Sequence, residues 1–432
     1  MSNKITVFWF RRDLRLSDNH GLYKALENSE NVLPIFIFDT EILSKLENKE
    51  DKRVDFIFQA FQTLNEYLEK TGKSIKLFNG KPLDIFKDLL KKNPIESVYC
   101  NEDYEPSAIK RDAEIEKFLA ENNVEFHQFK DQVHFSKDEI LKSDGKPYSI
   151  YTPYSKQWLL KYRELKVENY PSEKHLKNLV DVEKQELTLE KIGFKKTNYE
   201  FKPPQIEAKI LKTYHETRNF PTQKTSEMSV HLRFGTISVR KLAKEADKLN
   251  ETYLKELIWR EFFMQILYHY PKVVHESFKK KYDNIEWLFE EKNLKSWQEG
   301  KTGYPIVDAG MRQLNETGFM HNRVRMVCAS FFTKHLLMDW RIGEAYFAEK
   351  LLDYDLSANN GNWQWSAGTG CDSAPYFRVF NPDEQQKKFD PEFKYIKKWV
   401  KEFGTNDYPE PIVEHKSARL RALETYKKGL QE

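Results

Sequence analysis

Short apolar runs alternate with amphipathic stretches over the first 130 residues of the chain. The runs that have the length and residue types of buried strands are Ile5–Phe10, Val32–Phe38, Ile75–Phe78, Val98–Cys100 and Val124–Phe129. Stretches of helical periodicity separate these runs. Strands that alternate with helices pair in parallel, so the pattern predicts an α/β domain with a doubly wound parallel sheet over residues 1–130.

Two helices between these strands are the most clearly patterned. The first begins near Asp51, places apolar residues at steps of three and four, and ends at Gly72, a natural position for a left-handed cap. The second begins after Pro106. Its apolar residues are Ile109, Ile115, Phe118 and Leu119. Both helices are expected to cover the sheet.

The pattern changes twice after residue 130. Between residues 131 and 200 it weakens into Lys- and Glu-rich sequence with several prolines, which predicts an interdomain linker. From residue 201 to 432 the strand signal disappears and apolar residues recur at helical spacing, as in Leu254, Leu257, Ile258 and Phe262. The predicted fold is therefore an α/β domain, a linker and an all-helical domain.

Composition and charge exclude several classes of protein. Aromatic residues make up 14% of the 432 residues, too many for a disordered chain, and the net charge of +3 indicates no particular partner. The three cysteines, Cys100, Cys328 and Cys371, are far apart and odd in number, which argues against a disulfide framework or a zinc site. Neither a membrane span nor a secretion signal is present, so we expect a cytoplasmic protein without a bound metal.

The turn after the first strand lacks the glycine-rich loops that bind dinucleotides or triphosphates. It contains Arg11, Arg12 and Arg15 instead. A solvated turn and a ligand site at the carboxyl end of the strand both account for these arginines.

Six segments along the chain form a set of motifs in register. They are Val7–Leu16 with Asp18 and Asn19, Trp259–Phe263, Gly303–Ala309, Met320–Met326, Asp353–Trp365 and Arg378–Pro382. In order and spacing they resemble the DNA photolyase and cryptochrome family, and most closely its class I cyclobutane pyrimidine dimer photolyases. The resemblance covers essentially the whole chain. It implies an antenna-type domain before the linker and an FAD-binding catalytic domain after it. The implied activity is light-driven repair of pyrimidine dimers, by electron transfer from excited FADH⁻ to a flipped-out dimer and back.

The resemblance assigns FAD to a set of mostly polar residues in the second half of the chain. They are Tyr214, Thr225, Ser226, Glu227, Met228, Ser229, Asn322, Arg325, Asp353, Tyr354, Asp355 and Asn359. Asn359 would face the reactive nitrogen N5 of the flavin, where an amide is typical of photolyases. Read without the resemblance, residues 225–229 also fit an ordinary helix N-cap, and Arg325 with the two aspartates also fits structural ion pairing.

A second set is implied to hold the lesion and the DNA backbone. It consists of Arg218, Glu256, Trp259, Asn322, Arg323, Met326, Trp365 and Arg378. Aromatic walls suit the apolar faces of a dimer, while Glu256 and Asn322 would meet its polar edges. The arginines would contact phosphates, which positions DNA without reading its sequence. By residue type alone, the same side chains also fit core packing and surface charge.

Catalytic roles are implied for Glu256, Asn359 and three tryptophans. The tryptophans match the family's electron relay, with Trp363 nearest the flavin, Trp340 intermediate and Trp287 at the surface. Nothing in their spacing distinguishes such a relay from packing.

The implied partner is UV-damaged double-stranded DNA, bound by a monomer. A second, light-harvesting chromophore is common in the family. Folate is disfavoured because Ser107 and Ala108 replace the Asn-Glu pair of folate-binding relatives, which leaves deazaflavin, flavin mononucleotide or an empty site. The main alternative function is a cryptochrome-like blue-light sensor that signals through a protein partner. A relative of the DASH type that prefers single strands fits less well, because Glu256, Trp259 and Trp365 match the duplex-active pattern.

Overall fold

The computed structural model describes residues 4–165, 168–182 and 187–431. The chain forms two compact units. The first contains Met1–Glu139, Leu159–Ile206 and Glu227–Ala246. The second contains Ile140–Trp158, Glu207–Ser226 and Asp247–Glu432. Residues 131–200 thus contribute to both units, and the domain limits at residues 130 and 200 stay predictions.

A five-stranded parallel sheet forms the centre of the first unit, as predicted. Its strands are β1 (Ile5–Phe10), β2 (Val32–Asp39), β3 (Lys76–Gly80), β4 (Ile95–Asn101) and β5 (Glu125–Phe129). They pair in the order β3-β2-β1-β4-β5. The helices between them are α1 (His20–Asn28), α2 (Thr40–Leu43), α3 (Lys52–Glu69), α4 (Pro82–Lys92) and α5 (Pro106–Glu121).

Local sequence explains where α3 and α5 begin and end. The Asp51 side chain accepts a hydrogen bond from the backbone N–H of Arg53 and so caps α3. The helix ends at Glu69, before a turn in which Gly72 has a φ of 72°. In α5, Ile115 and Leu119 are buried as predicted. Ile109 is 39% exposed, so its predicted place on the buried face is wrong.

The remaining helices follow β5, and no further strand occurs in the described part of the chain, which confirms the helical second half. They are α6 (Tyr151–Glu164), α7 (Ala208–Thr217), α8 (Met228–Phe234), α9 (Val239–Leu249), α10 (Glu251–His269), α11 (Glu291–Glu299), α12 (Pro305–Thr317), α13 (Asn322–Ser330), α14 (Trp340–Lys350), α15 (Leu356–Ala367), α16 (Pro382–Phe389), α17 (Lys394–Trp399) and α18 (His415–Gln431). None of the described helices is long and apolar enough to cross a membrane.

The arginines after β1 are ion-paired, so the solvated-turn interpretation is wrong. Arg11 Nη1 lies 2.6 Å from Asp112 Oδ1. Arg12 Nη1 lies 2.9 Å from Glu105 Oε1. These arginines neutralise carboxylates on α5 and just before it.

Asp131 joins two arginines within the first unit. Its Oδ1 accepts from Arg15 Nη2 at 2.7 Å and from Arg240 Nη2 at 2.8 Å, and all three side chains are buried. Burial by itself would raise the pKa of Asp131, but the two guanidinium groups outweigh it and hold the pKa below its ordinary value. The carboxylate is therefore the counter-charge that makes two buried cations tolerable.

We expect Asp131→Asn to lower the free energy of unfolding by about 3–5 kcal/mol, because it removes the carboxylate that Arg15 and Arg240 share and leaves Arg240 with its contact to Asp18 Oδ2 at 3.2 Å. Urea unfolding at pH 7 measures this loss. Glu27→Gln, which removes the exposed partner of Lys24, is the matched control and should cost less than about 1 kcal/mol. Because the pKa of Asp131 is depressed, its contribution is present above about pH 4 and is lost as the pH falls through the folded pKa. Equal losses from both variants would contradict this role.

Candidate functional site

Helix α15 positions several of the candidate residues. The Asp355 side chain caps it by accepting from the N–H of Ala358 at 3.2 Å. Steps of four then place Asn359 and Trp363 on the same side of the helix. The Asn359 amide nitrogen donates to the backbone oxygen of Glu344 at 3.1 Å and to its Oε1 at 2.8 Å. These two bonds fix the orientation of the amide, and Glu344 is a site residue that the sequence did not reveal.

Arg325 and Asp353 meet as the sequence led us to expect. Arg325 Nη2 lies 2.8 Å from Asp353 Oδ2, and its Nε donates to the backbone oxygen of Met320 at 2.7 Å. Asp353 Oδ1 is buried and has no hydrogen-bond partner among the described residues. An unsatisfied buried acceptor costs free energy, so this position suits a ligand that brings an N–H or O–H donor.

The three candidate relay tryptophans belong to or border one core. Trp340 and Trp363 are 1% and 2% exposed, and Trp287 is half-buried against the same core. Trp287 is thus the most accessible of the three, as the implied order requires, but Trp340 and Trp363 do not differ in burial, and the arrangement is equally compatible with packing. The core also contains Trp297, which was not among the candidates and whose ring centroid lies 6.2 Å from that of Trp363.

Gly343 on α14 marks a close approach to Trp363. A Cβ atom at this position would lie 2.2 Å from Cη2 of the indole. Because a real Cβ atom never approaches that closely, glycine is the residue that lets the ring lie against α14. The sequence analysis did not single out Gly343, although a glycine inside a helical pattern is a signal that could have pointed to a close approach.

Glu256 and Trp259 lie on one face of α10. Arg218 Nη1 is 2.6 Å from Glu256 Oε1, so two predicted ligands of the substrate pair with each other here. Burial raises the pKa of Glu256, and the ion pair with Arg218 offsets only part of that rise. Trp259 stacks face to face on Tyr151, a residue from the predicted linker that was not a candidate.

The three candidate DNA-binding arginines lie near one another. Partial burial is the main reason that the pKa of Arg323 is lowered, and the positive charges of Arg218 and Arg378 lower it further. Arg323 is held by Asn219, whose Oδ1 accepts from its Nη2 at 2.7 Å. A group of like charges that repel one another in the free protein is a favourable place for a polyanion.

The predicted phosphate-binding stretch is divided between the units. In the second unit the Ser226 hydroxyl lies 2.9 Å from the Tyr253 hydroxyl. The ring of Tyr253 contacts the ring of Tyr214 edge-on, with centroids 5.0 Å apart. Thr225 is half-buried. In the first unit Glu227 precedes α8 in the left-handed conformation with a φ of 53°.

Met228 and Ser229 form the first turn of α8, and its cap residue Glu227 makes no side-chain hydrogen bond to the helix. The ordinary N-cap interpretation is therefore wrong. The first backbone N–H groups of α8 are left without a side-chain cap.

The other candidates are accessible to different degrees. Asn322 is exposed at the first turn of α13, and Met326, one turn later, is half-buried. Tyr354 and Trp365 are half-buried, and Arg378 is exposed. No group of three or more metal-ligating side chains occurs in the ranges that the structure describes.

Two family models match the chain. One, described as DNA photolyase, matches residues 6–173, and one described as the FAD binding domain of DNA photolyase matches residues 253–406. The deoxyribodipyrimidine photo-lyase of Escherichia coli is 36% identical over 465 residues, which cover 97% of this chain and 98% of that protein.

Solved structures with this fold include both photolyases and a cryptochrome. The archaeal photolyase of Sulfolobus tokodaii, which contains two FAD molecules, has a TM-score of 0.81 and 34% identity over 98% of this chain and 100% of its own. The cryptochrome of Synechocystis has a TM-score of 0.83 and 25% identity over 98% of this chain and 99% of its own.

We expect Gly343→Ala to lower the free energy of unfolding by about 1–3 kcal/mol, the usual cost of overpacking. Alanine has the higher helix propensity, so helix propensity alone would make the variant more stable. A loss of stability would therefore come from the collision with Trp363. Thermal unfolding measures the change. In the double variant with Trp363→Phe, the smaller ring relieves the collision. The double variant should therefore lose at least about 0.5 kcal/mol less stability than the sum of the losses of the two single variants. A stabilised Gly343→Ala protein would contradict the close approach.

Proposed function

We propose, from the premise that this chain belongs to the DNA photolyase family, that it is a deoxyribodipyrimidine photo-lyase that repairs cyclobutane pyrimidine dimers in DNA under light. One observation carries the proposal. In the second unit an aromatic wall at Trp259, a carboxyl group at Glu256 and the cations Arg218, Arg323 and Arg378 come together. These are the surfaces that the apolar faces, the polar edges and the flanking phosphates of a dimer require.

The second unit suits FAD as its cofactor. Asp353 Oδ1, which has no partner among the described residues, can accept a hydrogen bond from a ribityl O–H or from a ring N–H of FAD. Arg325, held by Asp353 and by the Met320 carbonyl, supplies a fixed positive charge for an anionic flavin. When bound and reduced, FAD supplies on excitation the electron that opens the cyclobutane ring and afterwards takes it back.

The residues around this cofactor position it and control its environment. We assign Asn359 to the flavin ring. Its amide nitrogen already donates to Glu344, so the amide oxygen is the atom that can accept a hydrogen bond from the flavin. Tyr214, Thr225, Ser226, Tyr354 and Asp355 complete the proposed binding set in the second unit. Glu227, Met228 and Ser229 belong to the first unit and are proposed as FAD ligands on the resemblance alone.

Glu256 acts on the lesion through hydrogen bonding. Arg218 Nη1 lies 2.6 Å from its Oε1 and holds the carboxylate in place, so that it can accept from an N–H on the polar edge of a pyrimidine. Trp259 and Trp365 flank the dimer, with Met326 and Asn322 beside them. Repair in this scheme needs no general base and no nucleophile, because the electron returns to its source.

Trp363, Trp340 and Trp287 are proposed to relay electrons to the cofactor and so to maintain its reduced state. Trp287 is the most accessible of the three, as an exchange with a surface donor requires. The relay restores the cofactor and takes no part in bond cleavage.

We further propose that the protein works as a cytoplasmic monomer on double-stranded DNA. The described cysteines are free, as expected in a reducing compartment. Deazaflavin, flavin mononucleotide or no second chromophore are the proposed states of the antenna domain. Folate is disfavoured by Ser107 and Ala108 in the first turn of α5.

The test is light-dependent repair by the purified, photoreduced protein, on a duplex and on a single strand that each contain one thymine dimer. We expect the dimer to disappear from the duplex under light and to persist in the dark. Glu256→Ala should weaken lesion binding roughly tenfold, the cost of one buried hydrogen bond, and Glu256→Gln should retain more affinity because it still reaches the dimer edge.

Two results would redirect the proposal. Dimer binding without repair, in protein loaded with reduced FAD, would favour the cryptochrome-like sensor. Repair confined to the single strand would favour a DASH-type enzyme.

We expect Arg378→Ala to weaken binding of damaged and undamaged duplexes by the same factor and to reduce the slope of log Kd against log salt by about 1, because one phosphate contact is lost. Anisotropy titrations between low and moderate salt measure the slope. Lys117→Ala, an exposed charge on α5, is the control and should leave the slope unchanged. A selective loss for damaged DNA would contradict a pure phosphate contact.

A further inference from the structure

Tyr151 is an aromatic residue of the second unit to which no role has been assigned. It lies in the stretch that the sequence marked as a linker and is the first residue of α6. Its ring lies parallel to the indole of Trp259, with centroids 3.6 Å apart and an interplanar angle of 5°. One face of Trp259 is thus covered by this single residue.

Two hydrogen bonds hold Tyr151 in place. Its hydroxyl donates to the backbone oxygen of Lys255 at 2.9 Å, one turn before Trp259 on α10. The backbone N–H of Tyr151 donates to Asp372 Oδ2 at 3.0 Å. The ring is therefore tied to the helix that carries Trp259 and to the loop after α15.

Two further aromatic rings contact the Trp259 indole, Phe262 edge-on and Phe263 in a tilted stack. Phe262, fully buried, meets Tyr151 edge-on at 5.9 Å and Trp259 edge-on at 5.6 Å. Phe263 lies 5.5 Å from Trp259 at an angle of 30°. A Cβ atom on Gly361 would lie 2.2 Å from Cδ1 of Phe263, so Phe263 itself is pressed against α15.

We propose that Tyr151 is a positioning residue of the lesion-binding site, which holds the Trp259 indole in one plane so that a pyrimidine dimer packs against a rigid wall. This inference rests on the proposed function, because it takes Trp259 as a surface that meets the dimer. A wall that is already ordered loses less conformational freedom when the ligand binds, and that saving appears as affinity.

A movable Tyr151 would have the opposite effect. If the ring occupied the place of a dimer face and had to leave, its removal would strengthen lesion binding. The bonds to Lys255 and Asp372 favour a fixed support over a displaceable ring. The two arrangements predict changes of opposite sign in the affinity for the lesion.

The experiment measures Kd in the dark for a duplex with one thymine dimer and for the same duplex undamaged, with FAD-loaded protein. The variants are Tyr151→Ala, Tyr151→Leu and Tyr151→Phe. Leucine keeps apolar volume without a planar ring, so it tests the stack even where alanine reduces the yield of folded protein. Tyr67→Ala, at an exposed position on α3, is the matched control.

We expect Tyr151→Ala and Tyr151→Leu to raise the Kd for the dimer duplex up to roughly tenfold, the value of a stacked aromatic pair. The Kd for undamaged DNA and the FAD content should not change, because neither depends on the plane of Trp259. Tyr151→Phe should stay within about twofold of the unaltered chain because the stack survives. A purely structural role would lower FAD content or affect both duplexes alike.

Three results would overturn the inference. They are tighter dimer binding by Tyr151→Ala or Tyr151→Leu, an unchanged Kd in Tyr151→Leu, and an equal loss for both duplexes. Failure of the proposed function has a different signature, since the unaltered chain would then bind the dimer duplex no better than the undamaged one.

Discussion

Close packing against α15 is the constraint on which the second unit depends. Two glycines let neighbours approach where a Cβ atom would collide, Gly343 beside Trp363 and Gly361 beside Phe263. At the end of the helix the carbonyl oxygen of Ala367 accepts from Lys334 Nζ and from the Tyr426 hydroxyl, both at 2.8 Å. With both ends and two sides held, the side chains on α15 have little freedom to shift, which is what a cofactor site requires.

Charge in this protein is arranged in two different ways. In the first unit the buried arginines are neutralised within the chain, as Asp131 does for Arg15 and Arg240. In the second unit the charges of Arg218, Arg323 and Arg378 repel one another, and a single carboxylate, Glu256, pairs with one of them. Buried charges that are paired within the chain stabilise the fold. An excess of positive charge, in contrast, makes the binding of an anion favourable.

Some of this architecture follows from local pattern, and some does not. The central strands β1, β2 and β4 are buried and need continuous apolar runs, so they were visible, as were the shorter runs of the edge strands β3 and β5 and the cap of α3 at Asp51. The role of Arg11 was not, because its partner Asp112 lies 101 residues away. Tyr151 was missed for a similar reason. It lies in a stretch without apolar periodicity, and only folding brings it onto Trp259.

The sequence by itself determined the order of strands and helices, the family and the candidate residues, because periodicity and motifs are properties of neighbouring positions. Tertiary structure alone decided which candidates meet. It paired Arg218 with Glu256, left Asp353 Oδ1 without a donor among the described residues, and placed Gly343 against Trp363. Ion pairs, orphaned acceptors and steric contacts act over a few ångströms in space, and residues far apart in the chain reach that distance only when the helices pack.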